Sequence, residues 1–490
     1  LLLAGVLVVF TIALTASPLY KPVPWSDSGN QLYIGERILE GEILYRDLWT
    51  HHPPANYYIE AFGLLVAGGS PWGVWILELL ALLSAATLGF LAIKRAFGAV
   101  PALFGSASWL LAMPFIILGG NEPEEYALPL QFGSLYLFQK ADEGSNYGWK
   151  YVLIGALTAV CFLLKQNFVG IGLAIGLVVV ATRAMNRDWR GLLGRLTAIG
   201  LGFGVPLLLV GVYFLTQGAL DDLWNQAFVF NFELQRTAST RGLTAFLKPL
   251  FTGLQTLSFS GLSILALAGW LLGVIYLRSN KRRGNEPLLV ASLIGLPLSL
   301  LLLLATSTGR APVYYFIGWL PSFAVLSAFF AYILVPEQQR DSLNITKSGN
   351  TPHAIVLVFA LVAAMAALPG FRLLSDLRYV GGVGGPRDVV RYVTETTGPN
   401  DVVLMWGTAA YINFPAHRRS ITKYSEQTPI YMHPNTQDLE QFLQKLQAER
   451  PVIIIDTSPT NLSAPSIDPD RRKMWMQAAR LDTLPPGLDK

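Results

Sequence analysis

The sequence predicts a polytopic α-helical membrane protein carrying a small α/β domain behind its last span, and three observations predict it. Of 490 residues, 52% are apolar and only 14% charged, where roughly a quarter of an ordinary soluble chain is charged. The apolar residues gather into blocks of roughly 18 to 25, the length a helix needs to cross a hydrocarbon core about 30 Å thick. Beyond Pro369 the pattern changes to mixed polar sequence with apolar residues at period two.

The clearest blocks are Val100–Leu118, Leu196–Leu215, Ser260–Leu277, Leu288–Ala305 and Ala354–Leu368. Inside lipid every backbone N–H must find an internal partner, and the alternation of a membrane β-strand is missing, so these blocks are helices. About eleven spans are expected, within a membrane domain over residues 1–369. The chain opens at Leu1 inside an apolar block and without an initiating Met, so a first helix truncated at a cytoplasmic end is expected. The formal charge is +4, but Lys and Arg sit in short loops and not on one basic face, which excludes a nucleic-acid binder. Cys161, the single cysteine, lies in an apolar block, and alone it builds no disulfide, zinc cluster or thiol site.

Alternate loops differ in basic content. One set holds Lys94 and Arg95, then Arg183, Arg187, Arg190 and Arg195, then Arg278, Lys281, Arg282 and Arg283; the positive-inside rule makes these cytoplasmic. The other set, Ser17–Asn56, Gly119–Glu125, Lys165–Asn167, Gln217–Lys248 and Thr306–Ala311, faces outward. An odd number of spans then puts residues 370–490 outside as an independently folding domain, with strands at Val402–Trp406 and Pro451–Asp456 and a helix at Asp438–Glu449.

The first outward segment is too long and too rich in ionisable and aromatic residues for a plain connector. It runs through Trp25-Ser26-Asp27-Ser28-Gly29-Asn30, then an amphipathic helix over Gln31–Gly41 suited to the membrane surface, then Tyr45-Arg46-Asp47-Leu48-Trp49-Thr50-His51-His52-Pro53-Pro54. Asp27 stands at the entrance to that helix. Further on come Asn121-Glu122-Pro123-Glu124-Glu125, Lys165 in Phe162-Leu163-Leu164-Lys165-Gln166-Asn167, and Gly309-Arg310 with Tyr314-Tyr315-Phe316 and Pro321.

In these residues, from Trp25 to Pro321, the chain resembles the GT-C superfamily of membrane glycosyltransferases, particularly bacterial relatives of protein O-mannosyltransferases and of lipid A aminoarabinose transferases. The matching features are Asp27 just after the first span, the interfacial helix, Gly41 with Tyr45, Arg46 and Asp47 in a G-x-x-x-Y-R-D stretch, and the Pro53–Pro54 pair before the second span. His52 stands where many relatives have a Lys that helps hold the lipid phosphate, and Tyr314 where His is common. The Glu122–Glu125 run is similar to the family's second acidic site, and Lys165 occupies a familiar position.

The resemblance implies an inverting glycosyltransferase that moves a sugar from a polyprenyl-phosphate donor to an acceptor on a glycan, lipid or protein. It implies Asp27 and Glu124 as catalytic residues, and Tyr45, Arg46, Asp47 and Tyr315 as substrate-binding ones. Chemistry agrees: a carboxylate takes the acceptor's proton while the sugar carbon gains oxocarbenium character. The departing phosphate needs no general acid but does need cations, for which Arg310, Lys165, Arg241 and His52 are the candidates. A divalent metal is left open, since adjacent His51 and His52 are no coordination signature. The expected setting is a bacterial inner (plasma) membrane, with membrane lipids as partners and the site extracytoplasmic. The rivals are a secondary transporter or lipid-linked saccharide flippase, which the clustering of charges at span ends disfavours, and a polymer ligase, which the same architecture could serve.

Overall fold

A computed structural model of the protein describes residues 2–24, 27–141, 143, 148–238, 242–279, 287–307, 312–337, 340, 353–381, 387–407, 409–427, 430, 436–458 and 465–479. Among these, eight helices are long and apolar enough to cross a membrane, including Ala99–Ile116, Trp189–Thr216, Leu262–Ser279, Pro287–Thr306 and Val356–Leu377. Gly5–Leu14 and Gly148–Leu164 are apolar but shorter. Each of the five clearest sequence blocks lies on one of the eight.

The chain forms two compact units. The first comprises Leu1–Ala16, Ile76–Tyr213 and Gln235–Tyr379. It is helical, and its helices meet where small residues let backbones approach, as expected in lipid, which gives apolar faces little reason to associate. Gly105 packs on the Ala324 carbonyl and the Ala328 methyl, Gly269 on the Leu326 carbonyl, and Gly155 and Gly202 on the carbonyls of Ile199 and Val152.

The second unit comprises Ser17–Trp75, Phe214–Leu234 and Val380–Lys490. Its sheet is two parallel strands, β1 (Val403–Trp406) and β2 (Ile453–Asp456), in register Val403↔Ile453 to Trp406↔Asp456. The helix Thr436–Glu449 lies between them in sequence, so the strand and helix boundaries predicted from periodicity hold to within two residues. Alternation along β1 divides the core. Leu404 and Trp406 join Leu439, Phe442 and Trp49 on one face, while Val403 and Met405 join Val393, Ile412 and Ala416 on the other.

Trp49 belongs to the first outward segment, yet it is a core residue of the C-terminal domain. Its indole sits 5.1 Å from the Phe230 ring and 6.1 Å from that of Tyr424, and the Trp49 backbone N–H donates to the Lys423 carbonyl at 2.9 Å. Gln226 binds the same segment, donating to the Tyr45 carbonyl at 2.7 Å and accepting from the Thr50 N–H at 3.2 Å. Such contacts cannot form across a bilayer. The first outward segment, residues 214–234 and the C-terminal domain therefore share one side of the membrane.

The helix Asp27–Leu39 begins four residues before the predicted amphipathic stretch Gln31–Gly41, stops two residues short of its end, and is packed on two sides. Gly35 lies against Glu60 and Ala61 of the helix Ala55–Val66, and Gly29 against Tyr411 of the C-terminal domain. A seam of charge flanks it: Glu36 accepts from His417 Nδ1 at 2.7 Å, and Glu42 takes both Arg37 at 3.0 Å and Arg419 at 2.8 Å. A Cβ on Gly35 would stand 2.6 Å from Glu60 Cβ and 3.0 Å from the Ala61 nitrogen. Gly35→Ala should therefore cost about 1 to 3 kcal/mol by overpacking and lower the unfolding temperature in detergent, whereas Gly176→Ala, with nothing within 4 Å, should not. Equal melting of the two variants would refute this packing.

Candidate active site

In the first unit the site begins at a helix N-terminus. Gly120 (φ +65°) and Asn121 (φ +61°) turn the chain, Glu122 is extended, and Pro123 starts the helix Pro123–Gln139 with Glu124 and Glu125 in its first turn. Pro suits a first helical position because its missing N–H would have no intrahelical partner. Glu125 Oε2 reaches back to accept the Asn121 N–H at 3.0 Å, and Tyr126 donates to Asn121 Oδ1 at 3.0 Å, so the turn is fixed from inside. Lys165 lies just past the helix Gly148–Leu164, where an extended backbone (φ −161°, ψ 129°) interrupts the helical path before the 3-10 turn Gln166–Val169.

Lys165 Nζ donates to Glu124 Oε1 at 2.6 Å, with the Glu124 side chain fully buried. The ammonium also stands 3.4 Å over the Tyr315 ring, held by the 3-10 helix Val313–Trp319. The Tyr314 and Tyr315 rings meet edge to face at 5.1 Å. A cation in a dry, aromatic-walled position is stabilised by the ring quadrupole as well as by its carboxylate. Glu78, 1% exposed on the span Pro71–Phe97, lies within hydrogen-bonding reach of Glu125. With Glu122, which is buried and also acts on Lys165, four buried carboxyls and one ammonium among the described residues share this neighbourhood.

In the second unit Asp27 opens the helix Asp27–Leu39 and is exposed. Helix N-termini favour negative charge. The Asp27 charge acts on Glu426 of the C-terminal domain, and Tyr57 feels both carboxyls while its hydroxyl is 2.5 Å from Thr50 Oγ1. Burial first, then the Asp27 charge, push the Glu426 carboxyl up to about 8. Sequence reading missed Glu426, because Tyr424-Ser425-Glu426-Gln427 matches no spacing or motif. Glu78 was also missed, although a lone carboxylate in an apolar block is a readable signal.

The remaining predicted residues separate by role. Tyr45 is fully buried at φ +72°, its hydroxyl donating to the His52 carbonyl at 2.9 Å and its ring edge-on to Phe214. Arg46 makes a two-pronged bond with Asp47 (3.0 and 2.7 Å) and donates to the Gln217 carbonyl at 3.2 Å. That bond holds the Asp47 carboxyl below its ordinary range, and Asp47 also accepts the Ile43 N–H at 2.9 Å. These contacts fix the shape of the loop. The His51 and His52 rings lie 4.0 Å apart, and Asn231 holds the His51 carbonyl at 2.6 Å. The structure thus brings Glu124, Lys165 and Tyr315 together in one unit, while Asp27, Tyr45, Arg46, Asp47 and His52 belong to the other. Arg310 and Arg241 lie outside the described residues. Among the described residues no group of three or more His, Cys, Asp or Glu is arranged to hold a metal ion.

The fold is that of known membrane transferases. The structure is similar to that of ArnT from Cupriavidus metallidurans in the apo state, at 15% identity and a TM-score of 0.59, covering 94% of this chain and 93% of that one. ArnT from Cupriavidus metallidurans bound to undecaprenyl phosphate gives 14% and 0.57, covering 94% and 89%. The Archaeoglobus fulgidus oligosaccharyltransferase AglB, in complex with an inhibitory peptide and a dolichol-phosphate, gives 14% and 0.52, covering 90% of this chain and 68% of that one. ArnT and AglB are GT-C proteins, and this chain has the GT-C fold. The family model for the competence-induced protein Ccs4 N-terminal domain matches residues 1–362. No curated protein matches the sequence.

Two measurements probe the charges. Lys165→Met leaves Glu124 buried without its cation and should destabilise the protein by about 3 to 5 kcal/mol, much of which Glu124→Leu added to it should restore. A double variant no more stable than Lys165→Met in denaturant titration would contradict the pairing. Glu426 is held above its unfolded value of 4.5, so its contribution to stability is full below that pH and is lost as pH rises through about 8. The unfolding temperature should fall over this window, and Glu426→Gln should flatten the fall; parallel curves would disprove it.

Proposed function

The chain belongs to the competence-induced protein Ccs4 N-terminal domain family, and from its GT-C fold we propose that it transfers a sugar from a polyprenyl monophosphate to an acceptor hydroxyl, with inversion, on the non-cytoplasmic face of its membrane. The observation that carries the proposal is the likeness over 94% of the chain to a transferase whose structure holds undecaprenyl phosphate. A lipid-borne donor also explains why an apolar chain should keep acidic and basic groups at the ends of its spans.

In the proposed step the acceptor oxygen attacks the sugar's anomeric carbon from the face opposite the phosphate. The bond from that carbon to the phosphate oxygen breaks, its electron pair leaves with the lipid phosphate, and the acceptor's proton passes to Asp27. Charge gathering on the phosphate calls for a cation, and in the first unit Lys165, held by Glu124 through their 2.6 Å contact, is a candidate for binding phosphate. The leaving group is a stable anion, so the step as written needs neither a general acid nor a metal. The positive-inside rule, applied to the basic loops with Lys94 and Arg95 among them, supports the extracytoplasmic assignment. Residues 214–234 and the C-terminal domain share that segment's side.

Purified protein supplied with a panel of polyprenyl-phosphate sugars should release free lipid phosphate from at least one of them. Asp27→Asn should fold and bind that donor yet slow transfer by about 10² to 10⁴, the usual effect of losing a general base. Near-normal turnover in Asp27→Asn would remove Asp27 as the base. Movement of the intact lipid-linked sugar without phosphate release would instead mark a flippase.

A further inference from the structure

Glu426 sits in a turn that its own domain and the first outward segment hold between them. On the domain side, Gln427 is fully buried; its Oε1 accepts the Gly407 N–H at 2.6 Å, and its own N–H donates to the Gly407 carbonyl at 3.1 Å. Gly407 directly follows β1, so the turn is tied to the end of the sheet. On the other side the Ser425 hydroxyl donates to Asn30 Oδ1 at 2.9 Å, and Asn30 lies one turn along the helix from Asp27. Between these positions Gly29 is covered by Tyr411 too closely for any side chain. Further along the helix, the Ser420 N–H donates to the Tyr33 hydroxyl at 2.8 Å.

We propose that Glu426 is a positioning residue for proton abstraction by Asp27, so that the C-terminal domain supplies part of the acid–base centre. The role in transfer rests on the glycosyltransferase reading; the pairing of the two carboxyls does not. Among the described residues, the titratable groups that interact electrostatically with Glu426 are Asp27, from the helix Asp27–Leu39, and Tyr57, from the helix Ala55–Val66. Burial first, and the Asp27 charge second, disfavour the ionised form of Glu426. Near neutral pH Glu426 keeps its proton, and Asp27, the proposed base, is the carboxylate that receives the acceptor's. Pairs of carboxyls separated in this way are how acid and base roles are commonly assigned. When Glu426 ionises, a second negative charge appears beside the carbon that the lipid phosphate is leaving. The anionic donor is then repelled. Glu426 thus acts through Asp27, by holding the site at one negative charge.

Two readouts test the proposal. Infrared spectroscopy of the full-length protein should show a protonated-carboxyl C=O band that is lost as pH passes about 8, is absent from Glu426→Gln, and is lost at lower pH in Asp27→Asn. Absence of that band from the wild type at neutral pH, or an identical titration in Asp27→Asn, overturns the pairing. In the lipid-phosphate release assay, the donor KM of the wild type should rise above about pH 8 with a smaller change in kcat, and in Glu426→Gln it should stay level. A uniform loss of turnover at every pH, with the rise in KM unchanged, marks a merely structural residue and also overturns the proposal. Release of lipid phosphate from no donor by the wild type would sink the transfer reading, while the infrared titration still decides whether the carboxyls are paired.

Discussion

The contact on which the second unit depends is the clamp of the C-terminal domain on the helix Asp27–Leu39. The helix is too short to persist alone in water. It is held because Gly29 and Gly35 let Tyr411 and Glu60 approach its backbone from two directions. Arg37 is 5% exposed and anchored by Glu40 and Glu42, and Glu42 in turn takes Arg419 of the C-terminal domain. The clamp fixes where the helix begins, and that beginning carries Asp27. A rotation of the helix by one residue would carry Asp27 about 100° round the axis, so the same contacts that stabilise the fold set the direction of the candidate base.

What the sequence disclosed, and what it withheld, follows from the physics of each signal. Spans were legible because lipid imposes one condition on a long stretch of chain, and blocks such as Leu288–Ala305 satisfy it without help from neighbours. The strands at Val403–Trp406 and Ile453–Asp456 were legible because alternation along a strand is local. The division into units was not, since Trp49 reads as an aromatic in a loop and becomes a core residue only through Phe230, Tyr424 and Leu404, each more than 150 positions away. The candidate site was half legible. Glu124 and Lys165 are 41 residues apart and were named from their resemblance to the GT-C pattern, and the structure pairs them at 2.6 Å. Glu426 could not be named, because its character comes from burial and from Asp27, neither of which its own neighbours in sequence announce.

Tyr45, Arg46 and Asp47 show the opposite case, in which a recognisable motif conceals its physical work. The Tyr45 ring is buried against Phe214, and its backbone occupies the left-handed region, a strained conformation for an aromatic residue. Such a conformation persists only when surrounding contacts over-determine it. They do: the Tyr45 hydroxyl holds the His52 carbonyl, Gln226 holds the Tyr45 carbonyl, and the Tyr45 N–H donates to the Leu48 carbonyl at 2.8 Å. The motif shapes the loop that leads from Asp27's helix to Pro53 and Pro54, whatever else it touches during turnover.

The clamp also bears on how far the C-terminal domain can be treated as an accessory. If acceptor choice alone resided there, removing the domain would leave the chemistry standing. Removal would, however, uncover Gly29, strip the Tyr33 hydroxyl of the Ser420 N–H, and expose Trp49, which is 8% exposed in the intact unit. It would also leave the Arg37–Glu42 pair without Arg419. A truncated chain losing activity would therefore report a collapsed helix as readily as a lost acceptor site. Single side chains at the contact separate the two, because Ser425 and Glu426 can be changed while Gln427 and Gly407 keep the turn in place. In this chain the domain behind the last span and the loop behind the first are one structural object, and the candidate base stands on it.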